Sequence, residues 1–162
     1  MELGTPPLVV ATAHPSLDDA VRRFCDELRA ETRYFGRRGA AAPKPTLSLI
    51  RRLESPEPAI GIAAVVDGAI IGVARIDGAA QAGAELLIAV GQAWRGRGVA
   101  LQLGVEIVAR ARDAGVPRIV VRTSHRRSDL RELGSTLGFQ VVDRGRGRVD
   151  LVRSLEPATR SA

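Results

Sequence analysis

The chain is poor in several residue types, and their scarcity excludes whole classes of protein. Cys25 is the only cysteine among 162 residues, so no internal disulfide can form and a reducing, cytoplasmic location is expected. No run of about 18 apolar residues occurs, which argues against a transmembrane helix. The first ten residues lack a basic region followed by a longer apolar core, so we expect no secretory signal.

Lysine and aromatic residues are scarce as well. Lys44 is the single lysine among 24 basic residues, which outnumber the 18 acidic residues and give a net charge of +6. Aromatic residues make up 3% of the chain, and the arginines are scattered along it. Nucleic-acid surfaces usually combine clustered basic residues with aromatic rings, so the composition argues against a nucleic-acid partner. The positive charge is compatible with an anionic small ligand.

The remaining composition is that of one globular domain. Hydrophobic residues make up 45% of the chain and charged residues 26%, both ordinary values. The length is sufficient for a single hydrophobic core. We therefore expect one domain over residues 1–155, followed by a short tail over residues 156–162.

Apolar periodicity and turn residues predict eleven helices and strands. Asp67-Gly68 is a strong hairpin signal, and the Arg-Gly string at 144–147 is interpreted as a second hairpin turn rather than an RNA contact. The predicted strands are 8–11, 59–66, 69–76, 85–90, 118–123, 139–143 and 148–155, and the predicted helices are 16–32, 46–53, 99–114 and 128–137. This order predicts a mixed α/β sheet with helices on both faces.

One stretch carries most of the functional information. The apolar strand ending at Val90 leads through a glycine-rich turn into a helix that begins near Val99. This order places free main-chain N–H groups at a helix N-terminus, where an anion can bind. The turn lacks the third glycine of a dinucleotide-binding motif, and no Gly-Lys-Ser/Thr completes a nucleotide P-loop.

The spacing Arg95-x-x-Gly98-x-Ala100 resembles the motif with which N-acetyltransferases of the GNAT superfamily hold the pyrophosphate of acetyl-CoA. Shorter similarities, at 33–36, 71–75, 84–85 and 137–139, are closest to the GNAT domain of bacterial protein lysine acetyltransferases. The resemblance covers residues 8–155. It implies the GNAT fold, a predominantly antiparallel sheet of six to seven strands with helices on both faces.

The resemblance also implies which residues bind the cosubstrate, acetyl-CoA, without any metal. The phosphates would be held by Arg95, Gly96, Arg97, Gly98, Val99 and Ala100. The fourth strand would separate from the fifth, so that main-chain groups of Ala89, Val90 and Gly91 bind the pantetheine arm. Val90 N–H would stabilise the oxyanion, and Arg127 would contact the 3′-phosphate or the acceptor.

Glu85 is the candidate general base. It begins an otherwise apolar strand, and in the resembling lysine acetyltransferases the glutamate of this Ala-Glu pair is the proposed base. A carboxylate placed there could accept a proton from an amine, directly or through water. The alternative is an ordinary exposed residue or a partner for a nearby arginine.

The general acid is the point where the pattern departs from the family. Many GNAT enzymes have a tyrosine five residues before the phenylalanine of the Leu-Gly-Phe motif, and here that position is Gly134. Tyr34, the only tyrosine, is a weaker candidate from a loop bordering the acceptor. Otherwise the thiolate of CoA leaves without direct protonation.

The sequence therefore predicts an N-acetyltransferase that transfers an acetyl group to a primary amine in a ternary complex, with a protein lysine as the first choice. A small-molecule amine is the alternative acceptor. A catalytically inactive acyl-CoA-binding module is the alternative from another functional class. The oligomeric state is left open between a monomer and a homodimer.

Overall fold

The order of helices and strands is the one expected from the sequence. The computed structural model describes residues 9–12, 18–35, 47–54, 60–78 and 84–155. The strands are β1 (Val9–Thr12), β2 (Ile60–Val66), β3 (Ala69–Asp77), β4 (Ala84–Val90), β5 (Arg118–Ser124), β6 (Gln140–Gly145) and β7 (Arg148–Ser154). The helices are α1 (Asp18–Phe35), α2 (Leu47–Leu53), α3 (Val99–Asp113) and α4 (Ser128–Thr136).

The seven strands form one mixed sheet in the order β1-β2-β3-β4-β5-β7-β6. Every neighbouring pair is antiparallel except β4 and β5, which are parallel. Parallel neighbours need a crossover connection, and α3 supplies it between these two strands. The predicted mixed, predominantly antiparallel sheet is thus confirmed.

Helices cover both faces of the sheet, so each face has its own hydrophobic cluster. On the first face, α1 and α2 contribute Phe24, Leu28 and Ile50, which pack against residues of β2, β3 and β4. On the second face, α3 contributes Leu103 and Ile107 to a larger cluster that also includes Leu137, just after α4. We refer to these as the α1/α2 face and the α3/α4 face.

Strand β4 lies between the two clusters, which explains why its sequence is almost continuously apolar. Leu87 and Ala89 belong to the cluster on the α1/α2 face. Ala84 and Leu86 belong to the cluster on the α3/α4 face. Since side chains alternate along a strand, Glu85 points to the same face as Leu87, toward α1 and α2.

The largest difference from the expected boundaries is at the end of α1. Helix α1 continues to Phe35, so Tyr34 lies in its last turn and not in a loop. Helix α3 begins at Val99, as expected, with Gly98 at its N-cap. The expected features at residues 13–17, 36–46 and 156–162 lie outside the described residues. Every helix in the described segments is too short or too polar to span a bilayer.

Cys25 is fully buried in α1, as expected for a small apolar residue rather than a nucleophile. Burial raises the pKa of its thiol to about 11, and the nearby Glu54 carboxylate adds to this effect. The thiol is therefore protonated at neutral pH. Because the thiolate is the form that attacks electrophilic thiol reagents, the folded protein should protect this cysteine from them.

We predict that Cys25 in the folded protein reacts with a maleimide at pH 8 at least a hundredfold more slowly than in denaturant. The rate would be followed by mass spectrometry. A Cys25→Ala, Ser135→Cys variant, with its thiol at an exposed site on α4, is the control and should react at once. Rapid labelling of Cys25 in the folded protein would contradict the buried position.

Candidate functional site

Strands β4 and β5 pair over only two residues before they separate. The pairs are Ala84 with Ile119 and Glu85 with Val120. Beyond them β4 remains paired with β3 as far as Val90, and β5 remains paired with β7 along its whole length. The expected separation of these two strands is confirmed. It leaves a gap in the middle of the sheet.

A cavity of about 330 Å³ occupies this gap and reaches both faces of the sheet. On the α1/α2 face its wall is charged and comprises Arg52, Glu85 and Arg122. On the α3/α4 face its wall is mainly apolar and comprises Leu86, Ile88, Val121, Thr123, Leu130, Leu133, Gly134, Leu137, Phe139 and Leu151. The cavity therefore has two chemically different ends, joined through the sheet.

Glu85 lies at the charged end, held between two arginines. Its carboxylate oxygens lie 2.9 Å from Nη1 of Arg52 and 3.4 Å from Nη1 of Arg122. The Glu85 side chain is 17% exposed, whereas Arg122 is 72% exposed. The surroundings of the carboxylate are thus charged and not apolar. Glu85 has arginine partners, which was the alternative to a catalytic role considered from the sequence. Ion pairing and proton transfer are compatible roles for one carboxylate.

A second carboxylate explains the position of Arg52. Asp77 on β3 lies directly opposite Glu85, and like charges in such cross-strand positions repel. Arg52 bridges them, since its Nη2 lies 3.4 Å from the Asp77 carboxylate. The hydrogen bond that Arg52 donates to the Glu85 carboxylate raises the pKa of Arg52. Arg75, which is buried, forms an ion pair with Asp77 from the same strand.

The apolar end contains one hydroxyl without a partner and one glycine. The buried Oγ1 of Thr123 has no hydrogen-bond partner in the described part of the chain. Gly134 is buried in α4, and a Cβ atom there would lie 2.8 Å from Cδ1 of Leu151. A side chain at position 134 would thus displace Leu151, which is itself 1% exposed. Close packing of α4 on β7 accounts for the glycine.

Arg127 is the N-cap residue of α4 and also lines the cavity. Its guanidinium forms two hydrogen bonds with the Asp129 carboxylate, at 3.1 and 3.2 Å. Burial by itself would raise the pKa of Asp129. The hydrogen bonds from Arg127, its positive charge and main-chain N–H donors outweigh burial, so the pKa of Asp129 is lowered overall. The arginine is thereby oriented at the cavity wall.

The glycine-rich turn forms a separate part of the site, outside the cavity. A 3-10 turn at Gln92–Trp94 leads into Arg95, and Gly96 and Gly98 both have positive φ, at 74° and 80°. Helix α3 starts without a side-chain cap, and Gln102 N–H bonds back to the Gly98 carbonyl. The preceding helical N–H groups are left without an intrahelical partner, as at every helix start. This arrangement suits an anion.

Side chains around the turn are held by the turn itself. Nε of Arg95 donates to the Val90 carbonyl at 3.1 Å, and the Arg97 guanidinium lies 5.2 Å from the ring centre of Trp94. Val99 is buried against the core, while Ala100 is partly exposed. The two arginines therefore flank the expected phosphate position.

The main chain of β4 faces the gap at alternate residues. Gly91 N–H donates to the Ile71 carbonyl at 2.8 Å, and Ala89 pairs with Val73, so both face β3. Because main-chain groups alternate in direction, those of Val90 and Ile88 face the gap. Val90 fits its expected role by direction, whereas Ala89 and Gly91 do not, since their groups are directed to β3.

The structure thus brings Glu85 and Arg127 to one cavity, and places the residues of 95–100 beyond the end of β4. Sequence reasoning missed Arg52, Arg122, Thr123 and Ile88. Strand alternation could have indicated Ile88, but the other three depend on contacts between distant segments. Within the described segments no group of three or more His, Cys, Asp or Glu side chains is arranged to hold a metal ion.

Comparisons with known proteins agree with this geometry. A family model described as the acetyltransferase (GNAT) family matches residues 21–139. The GNAT domain of PAT from S. lividans is similar in structure, with a TM-score of 0.70 and 24% identity over 91% of this chain and 90% of that one. No curated protein sequence gives a significant match.

Two further solved structures contain the cosubstrate or its product. The yncA protein of Salmonella typhimurium, solved with its cofactor acetyl-CoA, has a TM-score of 0.66 and 15% identity over 93% of this chain and 95% of that one. An N-acetyltransferase from Thermoplasma acidophilum, in complex with coenzyme A, has a TM-score of 0.66 and 15% identity over 91% and 99%. These similarities show a shared fold.

We predict that Arg52 and Glu85 are coupled in stability. Replacing Arg52 by Leu leaves two opposed carboxylates and should lower the free energy of unfolding, whereas the same change in the Glu85→Gln background should cost less. Because Arg52 is 38% exposed, we expect a coupling of only about 0.5–1 kcal/mol. Urea unfolding of the four proteins would measure it. Arg51→Leu, at the exposed neighbour, should show no coupling, and equal losses in both backgrounds would refute the bridge.

Proposed function

The chain belongs to the acetyltransferase (GNAT) family, and from this membership we propose that it transfers the acetyl group of acetyl-CoA to a primary amine within a ternary complex. The observation that carries the proposal is the gap between β4 and β5, which connects a glycine-rich helix start to a cavity containing a carboxylate. The acetyl donor would lie along the gap. The acceptor would enter at the charged end of the cavity.

The phosphates of acetyl-CoA would bind at the start of α3. Main-chain N–H groups of Gly96 to Ala100 provide donors there, and Arg95 and Arg97 add positive charge. Gly98 is required in this turn because its φ of 80° is unfavourable for a residue with a side chain. The neighbour solved with acetyl-CoA supports the identity of the cosubstrate.

The pantetheine arm would pair with the open edge of β4 as an added strand. Val90 and Ile88 have their main-chain groups directed into the gap, and the arm's amides match them in chemistry. Val90 N–H is the oxyanion donor favoured by the sequence. Ile88 N–H is a second candidate, because Ile88 lines the cavity and lies about 10 Å from Glu85 along the strand, against about 16 Å for Val90.

Glu85 would act as the general base. The acceptor ammonium loses a proton to this carboxylate, directly or through a water, and the neutral amine attacks the thioester carbon. The C–N bond forms, the attacking nitrogen releases its second proton to solvent, and the C–S bond breaks, so that CoA leaves as the thiolate. Arg52 and Arg122 would hold the Glu85 carboxylate in orientation for this step.

Position 134, where many GNAT enzymes have the tyrosine that protonates the departing thiolate, is a glycine in this chain. We propose that the thiolate leaves without a dedicated acid, which its low basicity permits. The Thr123 hydroxyl, buried and without a described partner, could donate a hydrogen bond at this end of the cavity. Arg127 would contact the cosubstrate from the start of α4.

The acceptor amine is either a protein lysine or a small molecule. The local similarities at 33–36, 71–75, 84–85 and 137–139 favour a protein lysine, the first choice from the sequence. A small-molecule amine is the alternative, and the charge at the acceptor end of the cavity supports it. Both acceptors use the same chemistry.

We predict that acetyl-CoA and a suitable amine release free thiol in the presence of the protein, and that Glu85→Gln lowers kcat about a hundredfold or more. The dissociation constant of acetyl-CoA should not change, because Glu85 lies away from the turn at 95–100. Thiol release would be measured with a chromogenic disulfide, using Glu132→Gln, an exposed change on α4, as the control. Tight acetyl-CoA binding without turnover on any amine would instead support an inactive binding module.

A second prediction concerns the turn. Gly98→Ala should weaken acetyl-CoA binding at least tenfold, because a side chain at a φ of 80° costs about 1 kcal/mol and shifts the N–H groups. Calorimetric titration would measure this effect. Gly115→Ala, at a φ of 77° beyond the other end of α3, controls for backbone strain alone. Equal affinities for the two variants would refute phosphate binding at this turn.

A further inference from the structure

The charged end of the cavity has more arginines around Glu85 than acetyl transfer requires, and these arginines indicate what kind of acceptor binds there. A general base alone needs one carboxylate, yet here two arginines contact Glu85. The wider cluster contains three arginines, Arg52, Arg75 and Arg122, and two carboxylates, Asp77 and Glu85. Among the residues that the structure describes, this cluster therefore has one more arginine than carboxylates.

Arg122 carries that excess charge, because the carboxylate opposite it on the neighbouring strand binds another arginine. On the neighbouring strand β7, Asp150 lies directly opposite Arg122. The Asp150 carboxylate is instead bound by Nε of Arg144 from β6, at 2.8 Å. Arg122 is left with a single contact among the described residues, to Glu85 at 3.4 Å.

The exposure of Arg122 distinguishes it from the other members of the cluster. Its side chain is 72% exposed, whereas those of Arg52 and Arg75 are 38% and 11% exposed. Arg52 already contacts two carboxylates and Arg75 contacts one. Arg122 thus presents most of its N–H donors at the rim of the cavity, in a geometry that suits a carboxylate.

We propose that the acceptor is a small amine with a carboxylate only a few bonds from the amino group, such as an α- or β-amino acid. Its ammonium group binds Glu85 and its carboxylate binds Arg122. The short distance between these two side chains sets the short separation between the two substrate groups. This inference rests on the proposed acetyl transfer and specifies its acceptor.

Charge balance favours this acceptor over a lysine side chain. When an ammonium group engages Glu85, Arg122 loses its only described partner, and a nearby anion on the same substrate replaces it. A lysine side chain offers no such anion beside its amine.

Matched pairs of acceptors test the proposal. Each amino acid would be compared with its own carboxamide, which has the same side chain but lacks the carboxylate, together with short lysine peptides. We expect kcat/KM to be at least tenfold higher for the acids, mainly through KM. Carboxamides have the less basic amine and hence more of the reactive neutral form at pH 7.5, so an advantage of the acids cannot arise from amine ionisation.

Replacing Arg122 by Gln should abolish this preference, because it should lower kcat/KM for the acids at least tenfold more than for the carboxamides, mainly by raising KM for the acids. The matched control is Arg118→Gln, an exposed arginine on the same strand that does not line the cavity. Equal kcat/KM for acids and amides, a better rate with lysine peptides, or a preference that survives Arg122→Gln would overturn the inference alone. If acetyl-CoA binds but no amine of any class is acetylated, the proposed function fails and the inference fails with it.

Discussion

The early end of pairing between β4 and β5 is the constraint on which the site depends. Each strand is held at its other edge by a long ladder of pairs, β4 by β3 and β5 by β7. The gap can therefore persist although β4 and β5 do not pair with each other across it. Main-chain groups of Ile88 and Val90 consequently face an opening instead of a neighbouring strand. The Val90 carbonyl accepts a hydrogen bond from Nε of Arg95, and a ligand with amides of its own can bind the other groups. The fold therefore creates both the space for a donor and the groups that orient it.

The charged cluster at one end of this gap links stability to chemistry. Asp77 and Glu85 oppose each other on adjacent strands, an arrangement that costs free energy unless a cation lies between them. Arg52 provides that cation from α2 and thereby attaches the helix to the sheet. A substrate that engages Glu85 must exchange one of these contacts for its own, so the acceptor's charge is constrained by the ion pairs already present.

Local patterns in the sequence were sufficient for the helices, the strands and the glycine-rich turn, because each is encoded within a few consecutive residues. The direction of Val90 and the separation of β4 from β5 followed from family resemblance, and the register of β3 against β4 then showed that Ala89 faces the wrong edge. The partners of Glu85 could not be found in this way. Arg52 and Arg122 lie more than 30 residues from it in the chain, and only the folded sheet brings them together. Helix α1 extends past its expected end because its last residues carry no strong helix-stopping signal before Gly36.

The glycine at position 134 is explained by packing rather than by loss of a catalytic group. A Cβ there would approach Leu151 to 2.8 Å, and Leu151 is buried between the sheet and α4. A side chain at position 134 would require the Leu151 side chain to move, and Leu151 lines the same cavity as Leu130, Leu133 and Leu137. The close approach of α4 to β7 thus accounts for the glycine and at the same time gives the cavity its apolar end. In the proposed acetyl transfer the thiolate would leave without a dedicated acid, so the protein would contribute chiefly by positioning the amine through Glu85 and its arginines.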